Sequence, residues 1–402
     1  MTNKGLDEQK MKNKKRRKRV MKKFWKRYKF ICIIFIMLLI LLIISAIACS
    51  VNFVDMRKAE QVNSESTDIE YTQENHSVQS VESETDGEPQ ITPEILEEAE
   101  VISITVSAVG DCTLGTDKNF STNTNFTSVY NKQGNPGYFF EKVKPVLEND
   151  DLTIANLEGT FTDSDARVNK TYAFKGDPSY TAILTEGSVE AVNLANNHSR
   201  DYGEESYTDT IDYLNQAGVA SFGYEQTAVI DVNGVSVGLV GILELFTGYD
   251  AEEDLRKNLE KVKNEGAELI IVSFHWGTEK HNYPDDIQKT LGHLAIDEGA
   301  HLVIGHHPHV LQGIEEYKGR NIVYSLGNFC FGGNKNPSDK DTMIFQQTFS
   351  VENGEVWKDN EKQVIPCSLS SVSSHNNYQP CVLEGDEAQR VLDKIDKFSE
   401  GF

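Results

Sequence analysis

The sequence is poor in three features. No internal repeat is visible among its 402 residues, so nothing points to a repeat architecture. Residues 30–54 contain no charged side chain, and residues 55–100 contain few apolar ones. So little apolar surface cannot offset the entropy that is lost on ordering, which excludes a packed core in residues 55–100. We predict an acidic disordered linker there, and the residues after it are enough for one large domain.

The uncharged segment lies between a basic stub and an acidic remainder. Residues 1–30 contain fourteen Lys or Arg and two acidic residues, whereas the whole chain has a net charge of -23. As a helix, residues 30–54 would reach about 37 Å, enough to cross a hydrocarbon core of about 30 Å. We predict a transmembrane helix there, with residues 1–29 as a cytoplasmic segment and the C-terminal domain extracellular. A cleaved signal peptide and lipoprotein cleavage before Cys49 are the alternatives.

Cysteines are scarce as well, with six in the chain. Four of them fall in the predicted extracellular part, where disulfides are permitted: Cys112, Cys330, Cys367 and Cys381. Four cysteines allow three pairings, and the sequence does not select among them. Cys112 and Cys330 could be neighbours, and a bond from Cys367 to Cys381 would close a short loop. Four free thiols are the other alternative.

Short apolar runs alternate with helical patterns from Val101 onward. The continuous apolar run Leu269–Phe274 predicts a buried strand, and the spacing in Ile287–Glu298 predicts an amphipathic helix. Tyr138–Glu148 predicts a helix that is broken or kinked at Pro145. Strands that alternate with helices indicate the α/β class.

Two Asn-Gly pairs modify this prediction. Asn233-Gly234 and Asn353-Gly354 each separate two apolar runs, which predicts two hairpins. Hairpins join antiparallel strands, so we expect mixed rather than purely parallel sheets. A two-sheet core flanked by helices fits the number of elements, and a single doubly wound sheet is the alternative.

Residue types that bind metal ions follow five of the predicted strands directly. Ligands bind outside the carboxyl ends of strands in α/β sheets, so residues far apart in sequence can converge there. Mixed His, Asp, Glu and Asn ligands suit zinc, manganese, iron or cobalt better than calcium. Two such ions about 4 Å apart could hold a phosphoryl group and activate a water. The five segments are Gly110-Asp111, Asn156–Gly159, Asn196–Asp201, His275–Glu279 and His306–His309.

These segments resemble the motifs of the CapA/PgsA family of capsule poly-γ-glutamate biosynthesis proteins, which is similar to calcineurin-like metallophosphoesterases. The resemblance covers Val101–Phe331 and implies a metallophosphoesterase-like α/β/β/α sandwich with mixed sheets. We predict that this domain spans residues 101–355 and that a C-terminal extension, 356–402, packs on it. The matching pieces are Val109–Gly115, Asn156–Gly159, Ala195–His198 with Asp201–Gly203, His275–Glu279, Gly305–Val310 and Ser325–Phe329.

The resemblance also implies roles for single residues. His198 looks like the catalytic member of the superfamily's Asn-His pair, and Glu158 stands near the place of a bridging aspartate. The implied cofactors are divalent ions, Mn, Zn or Fe. The implied metal ligands are Asp111, Glu158, Asn197, His275, His307 and His309.

Two departures from the superfamily pattern affect the expected activity. Thr113 stands where the first motif has a histidine, and Asn156-Leu157-Glu158 replaces the usual Gly-Asp. We therefore expect one metal site to be weakened, altered or absent. A scaffold with little phosphatase activity is an alternative to an active hydrolase.

Three functions are consistent with the resemblance. The first is a membrane-anchored component of poly-γ-glutamate capsule synthesis or export, with the lipid bilayer, a poly-γ-glutamate synthase complex and its polymer as partners. The second is an extracellular metal-dependent phosphoesterase unrelated to capsule. The third is a noncatalytic assembly subunit. No nucleic-acid partner is expected. The resemblance favours the first function, whereas the sequence does not identify the polymer, the number of metals or the oligomeric state.

Overall fold

The computed structural model describes residues 101–358 and 361–402. The predicted basic segment 1–29, transmembrane helix 30–54 and linker 55–100 lie outside these described residues. Within the described part of the chain, no helix has the length and apolar character that a membrane span requires.

Seventeen strands and seven α-helices make up the described domain. The strands are β1 (Val101–Thr113), β2 (Leu152–Leu157), β3 (Thr160–Phe161), β4 (Lys175–Gly176), β5 (Ala191–Asn193), β6 (Ala220–Phe222), β7 (Ala228–Val232), β8 (Val235–Leu243), β9 (Leu269–His275), β10 (Leu302–His306), β11 (Ile314–Tyr317), β12 (Arg320–Val323), β13 (Asn328–Phe331), β14 (Asp341–Glu352), β15 (Glu355–Val356), β16 (Glu361–Ser368) and β17 (Cys381–Val382). The helices are α1 (Phe126–Gln133), α2 (Lys144–Leu147), α3 (Thr181–Glu186), α4 (Gly203–Ala217), α5 (Ala251–Asn264), α6 (Asp286–Asp297) and α7 (Gly385–Ser399).

Both large sheets are mixed. The first has the order β17-β16-β14-β1-β2-β5-β6, with β13 parallel to the end of β1 and β15 beside β14. In it β1, β2, β5 and β6 are parallel, and β14 is antiparallel to β1. The second has the order β11-β12-β10-β9-β8-β7, in which only the two edge strands β11 and β7 are antiparallel to their neighbours. The predicted mixed α/β fold is confirmed, and the alternative of a single doubly wound sheet is wrong.

The two sheets face each other across one apolar core. Ile104 and Ile154 of the first sheet and Ile271 and Ile304 of the second belong to this core and are buried. Helices α1 to α4 pack on the outer face of the first sheet, and α5 and α6 pack on the outer face of the second. The layers are therefore α/β/β/α, and the parallel strands of both sheets end at the edge where the predicted ligands lie.

Local turn chemistry explains the hairpins. Asn233 and Gly234 have φ angles of 52° and 88°, and Asn353 and Gly354 have φ angles of 51° and 80°. Asn and Gly tolerate this left-handed region, which matches the twist of antiparallel strands. The β7–β8 and β14–β15 hairpins were both predicted from these pairs and are confirmed.

The prediction for Tyr138–Glu148 is wrong in extent. A 3₁₀ turn spans Pro136–Phe139, and the separate short helix α2 begins only at Lys144. Pro145 lies in the first turn of α2, where its missing N–H costs nothing. The proline therefore begins a helix here instead of kinking one.

The C-terminal segment is built into the first sheet. Strand β16 pairs with β14 along eight residues, and α7 contributes Val391 and Ile395 to the core between the sheets. The four cysteines of the described residues are free thiols. Cys112 and Cys330 are buried on the paired strands β1 and β13, and burial raises the pKa of the Cys112 thiol to about 12.

Candidate metal centre

The carboxyl ends of the strands bring the predicted site residues to one edge of the sandwich. Strands β1, β2 and β5 supply residues from the first sheet, and β9 and β10 supply residues from the second. Each predicted site residue except His307 has a side-chain atom within 4 Å of a side-chain atom of another predicted site residue. The ring centroid of His307 lies 4.8 Å from that of His275. The residues brought together are Asp111, Glu158, Asn197, His198, His275, His307 and His309.

Glu158 lies at the centre of the cluster. Its Oε1 is 3.7 Å from His198 Nε2, 3.8 Å from His275 Nε2 and 3.8 Å from His309 Nε2. Both carboxyl oxygens are buried, and neither has a hydrogen-bond partner among the described residues. A buried carboxyl group without a partner is costly unless a cation is present.

Two sets of potential ligand atoms share this carboxylate. One consists of Glu158, His275 and His307, and the other of Asp111, Glu158 and His309; within each set the ligand atoms lie within 4.8 Å of one another. Nδ1 of His307 is also buried and without a partner among the described residues. The donor types and the orphaned atoms fit a divalent metal ion, since such an ion would satisfy these atoms together.

Burial and mutual proximity shift the titration of this cluster. Burial raises the pKa of Glu158, and it lowers the pKa of His275 well below its usual range and that of His307 to about 4. Burial would also lower the pKa of His309, but Glu158 and Asp111 outweigh it and raise this pKa to about 10. Burial raises the pKa of Asp111 in turn, yet His306 and His309 hold it well below its ordinary value. Groups this strongly perturbed in one pocket are typical of functional sites.

A layer of asparagines holds the cluster from below. Asn156 Nδ2 donates to Asp111 Oδ1 at 2.9 Å, and Asn156 Oδ1 accepts from Asn193 Nδ2 at 3.2 Å. Asn196 Nδ2 donates to the Leu157 carbonyl at 2.8 Å, and its Oδ1 accepts from the His198 backbone N–H. These buried amides fix the loops that carry the ligands, because they join different strand ends and the loops that follow them.

His198 is held by a carboxylate and a lysine. Its Nδ1 donates to Asp201 Oδ2 at 2.7 Å, and Lys170 Nζ donates to Asp201 Oδ1 at 2.6 Å. Burial lowers the pKa of His198, while Asp201 opposes that shift. Because Nδ1 is engaged, Nε2 is left facing Glu158 and can hold or donate a proton there.

The loop after β10 is held in a strained backbone conformation. His307 and His309 have φ angles of 93° and 57°, in the left-handed region that non-glycine residues seldom adopt. His309 Nδ1 lies 2.9 Å from Asn328 Oδ1, and Asn328 Nδ2 donates to the His309 carbonyl. Strain of this kind costs on the order of 1–3 kcal/mol per residue and clusters at functional sites.

Four neighbours of the site were not among the residues to which a role was assigned, although Asp201 and His306 lie in the five predicted segments. Asp201 belongs to one of the motifs that resemble the family, and its spacing three residues after His198 was an available signal. His306 lies 3.5 Å from Asp111 Oδ1, with its Nε2 unpartnered among the described residues. Asn328 belongs to the matching piece Ser325–Phe329, so its motif was also an available signal. Lys170 reaches the site from a segment that has no periodic pattern, so no signal in the sequence pointed to it.

The shifted imidazoles predict a stability maximum near pH 6.5–7 for the metal-free protein. Above an unfolded-state pKa of about 6.5, folded His309 keeps a proton that the unfolded chain releases, so stability falls as the pH rises toward 10. Below that value the unfolded chain protonates both His275 and His307 while the folded chain does not. Folded Glu158, whose pKa is raised to about 8 by burial, keeps one proton that the unfolded chain releases, so it offsets only one of these two imidazoles and stability still falls toward pH 4. Melting temperatures measured with a chelator from pH 5 to pH 9 check this, and an unchanged value across the range would contradict it.

Residues 105–333 match the family model described as Bacterial capsule synthesis protein PGA_cap. The capsule biosynthesis protein CapA of Bacillus anthracis is 31% identical over 254 residues, covering 57% of this chain and 60% of that protein. The PGA biosynthesis protein CapA of Bacillus subtilis (strain 168) is 28% identical over 249 residues, covering 57% and 63%. The chain thus spans about three-fifths of the length of these relatives.

A crystal structure of a hypothetical protein from Thermus thermophilus is also similar. It has a TM-score of 0.42 and 16% sequence identity, and the match covers 65% of this chain and 98% of that one.

Proposed function

The chain belongs to the Bacterial capsule synthesis protein PGA_cap family, and from that membership we propose that it takes part in the synthesis or export of a poly-γ-glutamate capsule. The names of the Bacillus relatives, a capsule biosynthesis protein and a PGA biosynthesis protein, support this role. We further propose that the chain is a single-pass protein of the cell membrane with its C-terminal domain outside. The uncharged segment 30–54 and its basic flank support this placement.

The proposal includes a divalent-metal site of phosphoesterase type. The single observation that carries it is Glu158, a buried carboxyl group that faces three imidazoles and has no hydrogen-bond partner among the described residues. Manganese, zinc or iron suits this donor set. A bound ion of this kind would supply charge stabilisation to a phosphoryl group and acidify a bound water. The residues that would hold it are Asp111, Glu158, Asn197, His275, His307 and His309.

The chain's own residues prepare the reaction around that site. His198 would donate a proton from Nε2 to a leaving oxygen, with Asp201 fixing the ring through Nδ1. Asn156 orients Asp111, and Asn197 Oδ1 lies 2.9 Å from His275 Nε2. The buried floor of the site excludes water from these contacts and so strengthens them.

A phosphoesterase unrelated to capsule is the second candidate function. The ligand set favours it, because nothing in the donor chemistry is specific to a glutamate polymer. A panel of phosphodiester and γ-glutamyl substrates, assayed with the full-length protein and Mn²⁺, separates the two reaction types.

Deleting the gene for the chain in its host is expected to abolish surface poly-γ-glutamate, and the full-length chain is expected to restore it. Polymer is measured as glutamate released by acid hydrolysis of purified capsule. The double variant His307→Ala, His309→Ala should fail to restore it, because the predicted metal loses two imidazoles. A deletion strain with unchanged polymer would count against the capsule role, and restoration by the double variant would favour a noncatalytic assembly role.

A further inference from the structure

A cleft of about 570 Å³ opens from the candidate metal centre to the surface. We infer that it binds a phosphoester whose organic part carries a ring, the chemistry shared by sugar phosphates and nucleotides. The inference rests on the proposed phosphoesterase-type site, which would take the phosphoryl group. The residues that argue for it form the aromatic cleft, defined as Phe120, Tyr172, Phe174, Phe331, His198 and His309.

Aromatic rings lead outward from the site without a break. The Phe174 ring lies 4.5 Å from the His198 ring, and the Phe331 ring lies 5.2 Å from the His309 ring. The Tyr172 ring is nearly parallel to Phe174, at 6° and 6.4 Å, and the Phe120 ring meets both of them edge-on. A flat ligand group attached to a phosphoryl group at the site would therefore meet ring faces and edges over its whole length.

The Tyr172 ring, the outermost of the row, is exposed and available to contact a ligand. Phe174 and Phe331 are buried, so packing alone explains them. Tyr172 is 53% exposed, and its hydroxyl has no hydrogen bond among the described residues. A single exposed aromatic side chain is ordinary on a protein surface. One that extends a row of rings out of a candidate metal centre has the amphipathic character of a binding residue.

Charge in the cleft matches a small anion. Lys280 and Lys335 line it, and neither forms an ion pair among the described residues, although the chain as a whole is acidic. Lys280 is held at a φ of 64° by a bond from its backbone N–H to the Pro308 carbonyl. Of the two acids in the lining, Asp339 is neutralised by Lys394, which leaves Glu279. Two amines are enough for one phosphate group.

The same features argue against the polymer itself as the ligand of this cleft. Poly-γ-glutamate carries a carboxylate in every residue and no ring. Two amines beside Glu279 cannot balance a run of carboxylates, and the row of aromatic rings would have no counterpart. The volume falls in the range of about 300–1,000 Å³ that small-molecule sites occupy.

The test compares two nonhydrolysable probes that differ in the ring. Phenylphosphonate and propylphosphonate are titrated by calorimetry into the full-length protein in detergent, with and without Mn²⁺. We expect phenylphosphonate to bind about tenfold more tightly, in line with one aromatic stacking contact. Tyr172→Ala should remove this preference, whereas Tyr249→Ala, which alters a tyrosine of similar exposure (51%) outside the cleft, should retain it.

Equal binding of the two probes to the wild type would overturn the inference, as would a preference that survives in Tyr172→Ala. If the wild type does not bind Mn²⁺, only the proposed metal site is contradicted. The tighter binding of phenylphosphonate should persist without metal. A hexose phosphate and adenosine monophosphate then distinguish the source of the ring. Tighter binding of either one than of propylphosphonate supports the inference, and tighter binding of neither contradicts it.

Discussion

Replacing His198 with alanine is expected to lower the rate of phosphoester hydrolysis by about a hundredfold to ten-thousandfold, the range typical of a lost general acid. His198 presents Nε2 to Glu158 while its Nδ1 is held by Asp201. The other imidazoles around Glu158 are assigned to the metal, so none of them is free to replace it. The fold should survive, because His198 lies at the floor of an open cleft and not in an apolar core.

Initial rates with Mn²⁺ and an activated phosphodiester measure the effect. The control is His293→Ala, since His293 also pairs with a carboxylate, Glu315 at 2.7 Å, but on helix α6 and away from the cleft. The control should keep the wild-type rate, and both variants should keep the wild-type metal content. Full hydrolysis by His198→Ala would remove the catalytic assignment.

Replacing Glu158 with glutamine is expected to weaken divalent-metal binding by more than about a hundredfold. Losing an outer-shell partner alone costs about 10–100-fold in metal affinity, and Glu158 belongs to both sets of potential ligands. Without metal the variant should be no less stable than the wild type at pH 9. Burial raises the pKa of Glu158 although His309 opposes that shift, so at high pH the wild type buries a carboxylate at a net cost that the neutral glutamine avoids.

Mass spectrometry after dialysis measures the metal content per chain and tests the effect on metal binding. Melting temperatures in the presence of a chelator test the effect on stability. Glu190→Gln is the control, because Glu190 is an exposed residue just before β5, away from the site, whose carboxylate accepts from the Thr153 backbone N–H. The control should bind metal like the wild type. Normal metal content in Glu158→Gln would show that Glu158 is not a ligand.

The strand ends could be predicted from the sequence because their signals are local. The run Leu269–Phe274 followed by His275 predicted both a buried strand and the residue that it presents, and β9 ends at His275. The Asn-Gly turns likewise depend only on the φ angles of two residues. Because parallel strands share a carboxyl edge, these local signals were enough to predict which residues could meet.

Contacts that depend on distant segments could not be predicted in this way. Strand β13 pairs with the end of β1 although the two are about 200 residues apart in sequence, and Asn328 reaches His309 from it. Lys170 and Tyr172 lie on the stretch between β3 and β4, which has no helical or strand period. Their places follow from how a loop folds over the sheet edge, and hydrophobic periodicity carries no information about that.

Crystals of the protein grown with Mn²⁺ and measured at the manganese absorption edge would locate the ion directly. We predict anomalous density beside Glu158, enclosed either with His275 and His307 or with Asp111 and His309. Crystals whose anomalous density lies only elsewhere on the chain, with those side chains in their present positions, would contradict the assignment of this pocket as a metal centre.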